Sequence, residues 1–119
     1  MGIPEDKRRF IRLNALVDVV YHKISPQEKE KISLTKNISK GGICLIAYEE
    51  LKKSDMLDLK IFLPEDKKPI HAIGKIVWSK SFIIGDISSG KRFDLGIEFI
   101  DITEEEANKI NKYVFTQKL

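Results

Sequence analysis

Apolar residues recur at every second position through several short stretches of this chain, and only near its carboxyl end does the spacing lengthen to three and four. In Met56 to Leu63, residues Leu57, Leu59, Ile61 and Leu63 share one face opposite Asp58, Lys60 and Phe62, and Pro64 ends the run. Period two closed by a proline predicts a strand. Phe93, Leu95, Ile97 and Phe99 repeat the alternation within Arg92 to Ile100, Ile70 to about Ile84 supplies the strand before it, and Gly85 to Lys91 reads as the returning loop. Leu13 to Lys23 alternates unevenly but is rich in Leu, Val and Tyr, after which Pro26 and the charge run Glu28-Lys29-Glu30-Lys31 break the pattern. Ile32 to Ser39 and Ile43 to Tyr48 give two further strands around a turn or bulge at Gly41-Gly42, and the polar stretch Glu49 to Asp55 connects them to Met56.

The period then changes. Thr103-Glu104-Glu105-Glu106 has the spacing of a capping box, and its acidic first turn complements the helix dipole. Ala107, Ile110, Tyr113 and Val114 follow at helical spacing, so a helix over about 103–117 can lay one face on a sheet or barrel. Six short strands followed by one helix, with no long helix between strands, predict a mainly β fold: a six-stranded antiparallel barrel with a C-terminal α-helix. Residues 1–12 read as a flexible arm and 13–119 as the barrel and its helix, one domain overall.

Composition sharpens this only a little. A chain of 119 residues with 42% hydrophobic and 33% charged positions can bury a core without disulfides or metal. No apolar run is long enough to span a membrane, and Gly2 to Lys7 lacks the apolar core of a signal peptide, so the expected location is cytoplasmic. Cys44 is the one cysteine and reads as a small buried hydrophobe. His22 and His71 fall on different predicted strands and no His-x-Glu or Cys-x-x-Cys spacing occurs, so neither an enzyme nor a metal or cofactor site is expected. A net charge of +3 is too small for a general nucleic-acid coat.

Local charge says more than the total. Arg8-Arg9-Phe10-Ile11-Arg12, with Lys7 before it, carries no acidic residue. Guanidinium forks suit phosphate oxygens or the O6 and N7 acceptors of a guanine edge. In Ile32 to Ser39, residues Ile32, Leu34 and Ile38 share one parity, which turns Asn37 and Ser39 outward together. An amide and a hydroxyl two residues apart, followed by glycines that let a flat ligand approach the backbone, suit a purine edge. The two runs read as halves of one site for a nucleotide carrying phosphates and guanines. Trp78 reads as a barrel-end packing residue, with a platform for stacking a base as its alternative.

Arg-x-x-x-Arg followed by Asn-x-Ser-x-x-Gly on a strand resembles the signature of the PilZ domain, the bacterial receptor module for cyclic di-GMP. The match falls on Arg8 and Arg12, then on Asn37, Ser39 and Gly42; Gly74 to Trp78 and Leu95 to Phe99 look like the family's late strands. Many members carry aspartate where this chain has Asn37. The resemblance implies the same six-stranded barrel, a cyclic di-GMP ligand held by those five residues with Lys7, Arg9, Gly41 and Trp78 beside them, and a protein effector downstream, with neither nucleic acid nor membrane insertion. It also implies that Lys7, just before the arginine motif, bears on whether one ligand or a stacked pair binds. The alternatives are a PilZ-like interaction module that binds no cyclic di-GMP and, from the basic arm, a small nucleic-acid-binding barrel.

Overall fold

The computed structural model describes residues 10–85 and 90–118. Seven strands precede one helix: β1 (Arg12–Asn14), β2 (Asp18–Lys23), β3 (Lys31–Ser39), β4 (Gly42–Ala47), β5 (Met56–Phe62), β6 (Ile70–Ile83), β7 (Lys91–Asp101) and α1 (Glu104–Lys118). All pairings are antiparallel, and the order β3-β2-β5-β6-β7-β4 returns to β3, closing a six-stranded barrel.

The seventh strand explains the uneven alternation of Leu13 to Lys23. β1 pairs with residues 37–39 of β3 and β2 with residues 31–34, both along the same edge, so they are successive pieces of one strand interrupted at Ala15 to Val17. The fully buried Thr35 spans the break: its hydroxyl donates to the Ala15 carbonyl at 2.7 Å and accepts the Val17 N–H at 3.1 Å. Its backbone N–H donates to the Val17 carbonyl at 3.0 Å. Leu16, pushed out by the break, is 68% exposed.

Val17, Val19, Tyr21, Ile38, Leu45, Leu57, Leu59, Ile61, Ile76, Leu95 and Ile97 fill the barrel, and Ile110 and Val114 of α1 join the same cluster. Burying each of those two helix side chains contributes about 1.5–3 kcal/mol. Thr103 caps α1 by accepting the Glu106 N–H at 3.1 Å. The Glu106 carboxylate meets the Thr103 hydroxyl at 3.3 Å and the His71 N–H at 3.4 Å, tying the helix start to β6.

Of three register shifts in the barrel, the third lying between Ile73 and Gly74, two set which residues face the site. Along β3 and β4 the register passes from Thr35↔Leu45 to Asn37↔Cys44, leaving Lys36 as an extra residue. An extra residue reverses the alternation beyond it. Ile38 therefore faces the core, whereas Ile32 and Leu34, expected on the same side as Ile38, face outward at 80% and 36% exposure. A second bulge lies between Ile76 and Trp78: Ile76 points inward opposite Ile97, and Trp78 pairs with Gly96 on the outer face. Among the described residues no helix is long and apolar enough to cross a membrane.

Candidate functional site

These two bulges bring residues of five strands, β1, β3, β4, β6 and β7, around one cleft of about 530 Å³. Residues directly opposite one another in paired strands share a face, so the cleft floor can be read as two rows. The first runs Arg12 (β1), Ser39 (β3), Gly42 (β4), Glu98 (β7). The second runs Asn14, Asn37, Cys44, Gly96, Trp78, from β1 across to β6. Of the residues singled out from sequence, Arg12, Asn37, Ser39, Gly41, Gly42 and Trp78 all line this cleft. Lys7, Arg8 and Arg9 lie outside the described residues. Arg12, expected at the end of the arm, is the first residue of β1 and opposes Ser39, so strand pairing fixes its backbone.

Ser39 is nearly buried and organises the two-residue turn at Lys40-Gly41. Its hydroxyl accepts the Gly41 N–H at 3.1 Å and donates to the Gly42 carbonyl at 3.4 Å. The glycines serve the protein's own packing. At Gly42 the Ile97 carbonyl of β7 occupies the place a Cβ would take, and at Gly41 a Cβ would stand 2.7 Å from the Phe10 ring. Lys40 Nζ lies 5.9 Å from the centre of that ring, within cation–π range. Trp78 is not a barrel-end residue: its indole lies across Gly96 on the outer face and is 41% exposed.

Cys44 is buried, as expected, but on the outer side of β4 between Asn37 and Gly96 rather than in the core cluster. Burial pushes its thiol up, and the negative charge of Asp94 adds to this while Lys36, Arg12 and Arg92 oppose it. Asp94 is itself buried and held by Lys36 at 2.9 Å and Arg92 at 3.1 Å. Arg92 in turn stacks on Phe82, 4.9 Å from the ring centre.

Phe10 and Glu98 also line the cleft and were not foreseen as site residues. Glu98 follows the core residue Ile97, which places it outward, but only the β4–β7 register connects it to Gly42, 56 positions earlier. Among the described residues no group of three His, Cys, Asp or Glu side chains could hold a metal.

The arrangement offers a cation, a neutral amide, an indole face and one carboxylate around an open floor, a set able to engage both the phosphates and the base edges of a nucleotide. Comparison with known proteins bears on the fold. MotI/DgrA, the inhibitor of motility of Bacillus subtilis, superposes with a TM-score of 0.75 at 24% identity, covering 95% of this chain and 52% of that one. The PilZ domain of Escherichia coli YcgR with c-di-GMP gives 0.70 at 11% identity, covering 95% and 92%. The MrkH–c-di-GMP complex of K. pneumonia gives 0.71 at 15% identity, covering 95% and 52%. The chain thus spans about half the length of MotI and MrkH. No curated protein matches the sequence. The sequence profile of the PilZ domain matches residues 6–116, nearly the whole chain, and with the closed six-stranded barrel and its C-terminal helix this establishes that the chain belongs to the PilZ domain family.

Proposed function

We propose that this chain is a receptor for cyclic di-GMP that passes the ligand's presence to a protein effector and carries out no reaction of its own. The observation that carries the reading is the convergence of Arg12, Asn37 and Ser39, from two separate sequence runs, on the outer face of one cleft beside Trp78. Arg12 suits a phosphodiester or the O6/N7 edge of a guanine. The Asn37 amide accepts guanine N–H groups, Ser39 holds the turn beneath them, and Trp78 offers a face for a base. Arg8 and Arg12 are the arginines of the family motif. Arg8, with Lys7 and Arg9, folds over the phosphates from the arm and so builds, with the barrel, a surface that exists only in the bound state.

Calorimetric titration with cyclic di-GMP, GTP, GMP and a single-stranded oligonucleotide tests the reading. Only the cyclic dinucleotide presents two guanines and two phosphodiesters in one compact shape, so it is expected to bind alone or far more tightly. Equal affinity for GTP would overturn the specific reading. Heat from the oligonucleotide alone would favour a nucleic-acid barrel. Silence with every ligand would favour a constitutive interaction module, a role for which the neutral Asn37 would suffice.

A further inference from the structure

We propose that Glu98 is a specificity-determining residue of this cleft, its carboxylate accepting the N1–H and 2-amino N–H donors of a bound guanine; the inference rests on the cyclic di-GMP reading above. Glu98 is exposed and is the one acidic residue among the described cleft lining. The next outward acid along β7, Asp94, is buried between Lys36 and Arg92 and committed to them. Ser39 is similarly engaged, since the Lys40-Gly41 turn takes its hydroxyl both as donor and as acceptor. Asn37 is neutral. A guanine laid in this cleft therefore finds one charged acceptor, and it is supplied from β7 rather than from the Asn-x-Ser run.

The surrounding geometry leaves that carboxylate a clear path. Gly42 stands between Ser39 and Glu98 in the row, and the Ile97 carbonyl fills the space a side chain at 42 would need. Nothing larger than hydrogen can intervene there. Arg12 and Glu98 stand three strand spacings or about 14 Å apart along the backbone of the row, and the exposed Lys75 of β6 pairs opposite Glu98 on its far side. A purine fits between their side chains with its acceptor edge toward the guanidinium and its donor edge toward the carboxylate. Guanine has both edges: O6 and N7 accept, while N1–H and the 2-amino group donate. Two parallel donors match the two oxygens of a carboxylate, and such charge-assisted pairs are among the stronger hydrogen bonds. Adenine presents an acceptor at N1 in place of the donor, and hypoxanthine lacks the 2-amino group.

A carboxylate in a phosphate-binding cleft has only one other evident effect, repulsion of the phosphates, and the two effects differ in sign. The parent and Glu98→Gln, each checked for unchanged thermal unfolding, are titrated with cyclic di-GMP, cyclic di-IMP and cyclic di-AMP. The proposal expects the parent to prefer cyclic di-GMP over cyclic di-IMP by about tenfold or more. It expects Glu98→Gln to weaken cyclic di-GMP by about tenfold, weaken cyclic di-IMP less, and collapse the preference between them. Unchanged or tighter cyclic di-GMP binding by Glu98→Gln, as phosphate repulsion predicts, would overturn it while leaving the receptor reading intact. A parent that binds no cyclic di-GMP would remove the receptor reading and this inference with it.

Discussion

The indole of Trp78 lies so close over Gly96 that any side chain at position 96 would occupy the ring's place. The two residues face each other across β6 and β7 on the outer wall, so the floor under the tryptophan is backbone. Gly96→Ala must lift the ring or part the strands, and overpacking of this kind costs about 1–3 kcal/mol. Trp78 is the only tryptophan, so its emission reports the displacement directly. The variant is expected to show a lower urea midpoint, red-shifted emission and weaker cyclic di-GMP binding. Parent-like emission would mean that the ring does not rest on Gly96 in solution.

Thr35 gives a test of the fold apart from the site. Its hydroxyl satisfies both the Val17 N–H and the Ala15 carbonyl where β1 and β2 part. Thr35→Val keeps the shape and strands both groups in the interior, a loss of about 1–3 kcal/mol. Thr35→Ser restores the hydroxyl and is expected to recover most of it. Equal urea midpoints for the valine and serine variants would show that packing, not the hydrogen bonds, holds the break.

These positions also show where the sequence stops being readable. The strand from Met56, the alternation of Phe93 to Phe99 and the Thr103 cap follow local rules, and the structure has them where the pattern puts them. Parity fails at Lys36 and Val77, because a bulge adds one residue on one strand and its presence depends on the partner strand. That is why Ile32 and Leu34 face outward despite sharing parity with Ile38, and why Trp78 faces the cleft two residues after the inward Ile76. Arg12, Asn37 and Ser39 could be picked out as short-range motifs. Glu98 and Phe10 could not, since their place in the cleft depends on long-range register and packing.

Alkaline pH is expected to weaken the fold before it alters the charge of most surface groups. Burial, followed by the negative charge of Glu49 and a 3.0 Å hydrogen bond to it, raises the Tyr21 hydroxyl above its ordinary 10.0. Burial raises Cys44 above 9.0, and the hydrogen bond to Glu49 raises Lys31 above 10.5. In each case the folded chain keeps a proton that the unfolded chain releases, so stability is full below the unfolded values and is lost as pH rises through and beyond them. Urea midpoints are expected to stay level from pH 7 to about 8.5 and to fall progressively above about 9. Tyr21→Phe starts lower, having lost the Glu49 bond, and declines less steeply. A flat profile to pH 11 would contradict the burial of Tyr21 and Cys44 and the hydrogen bond between Lys31 and Glu49.

Asn37 separates the strand half of the site from the arm. If its side-chain oxygen accepts guanine N–H groups, Asn37→Asp makes that bond charge-assisted and is expected to tighten cyclic di-GMP binding by up to about tenfold. Asn37→Ala should loosen it by a similar factor. Undiminished affinity in the alanine variant would assign Asn37 to the strand alone.

Arg12 tests whether the site needs a charge or a shape. It is exposed, at the start of a three-residue strand, with its backbone set by pairing to Ser39. Its substitution should therefore leave thermal unfolding nearly unchanged. A charge-assisted hydrogen bond is worth about 1.5–3 kcal/mol, so Arg12→Ala is expected to weaken cyclic di-GMP by roughly 10- to 150-fold. Arg12→Lys keeps the cation but replaces a planar fork by a point charge, and a bidentate contact does not survive that exchange. An affinity for the lysine variant close to that of alanine identifies fork recognition of a guanine edge or a phosphodiester. Full recovery with lysine would mean that Arg12 supplies only positive potential, and raised salt should then erase the difference between parent and alanine.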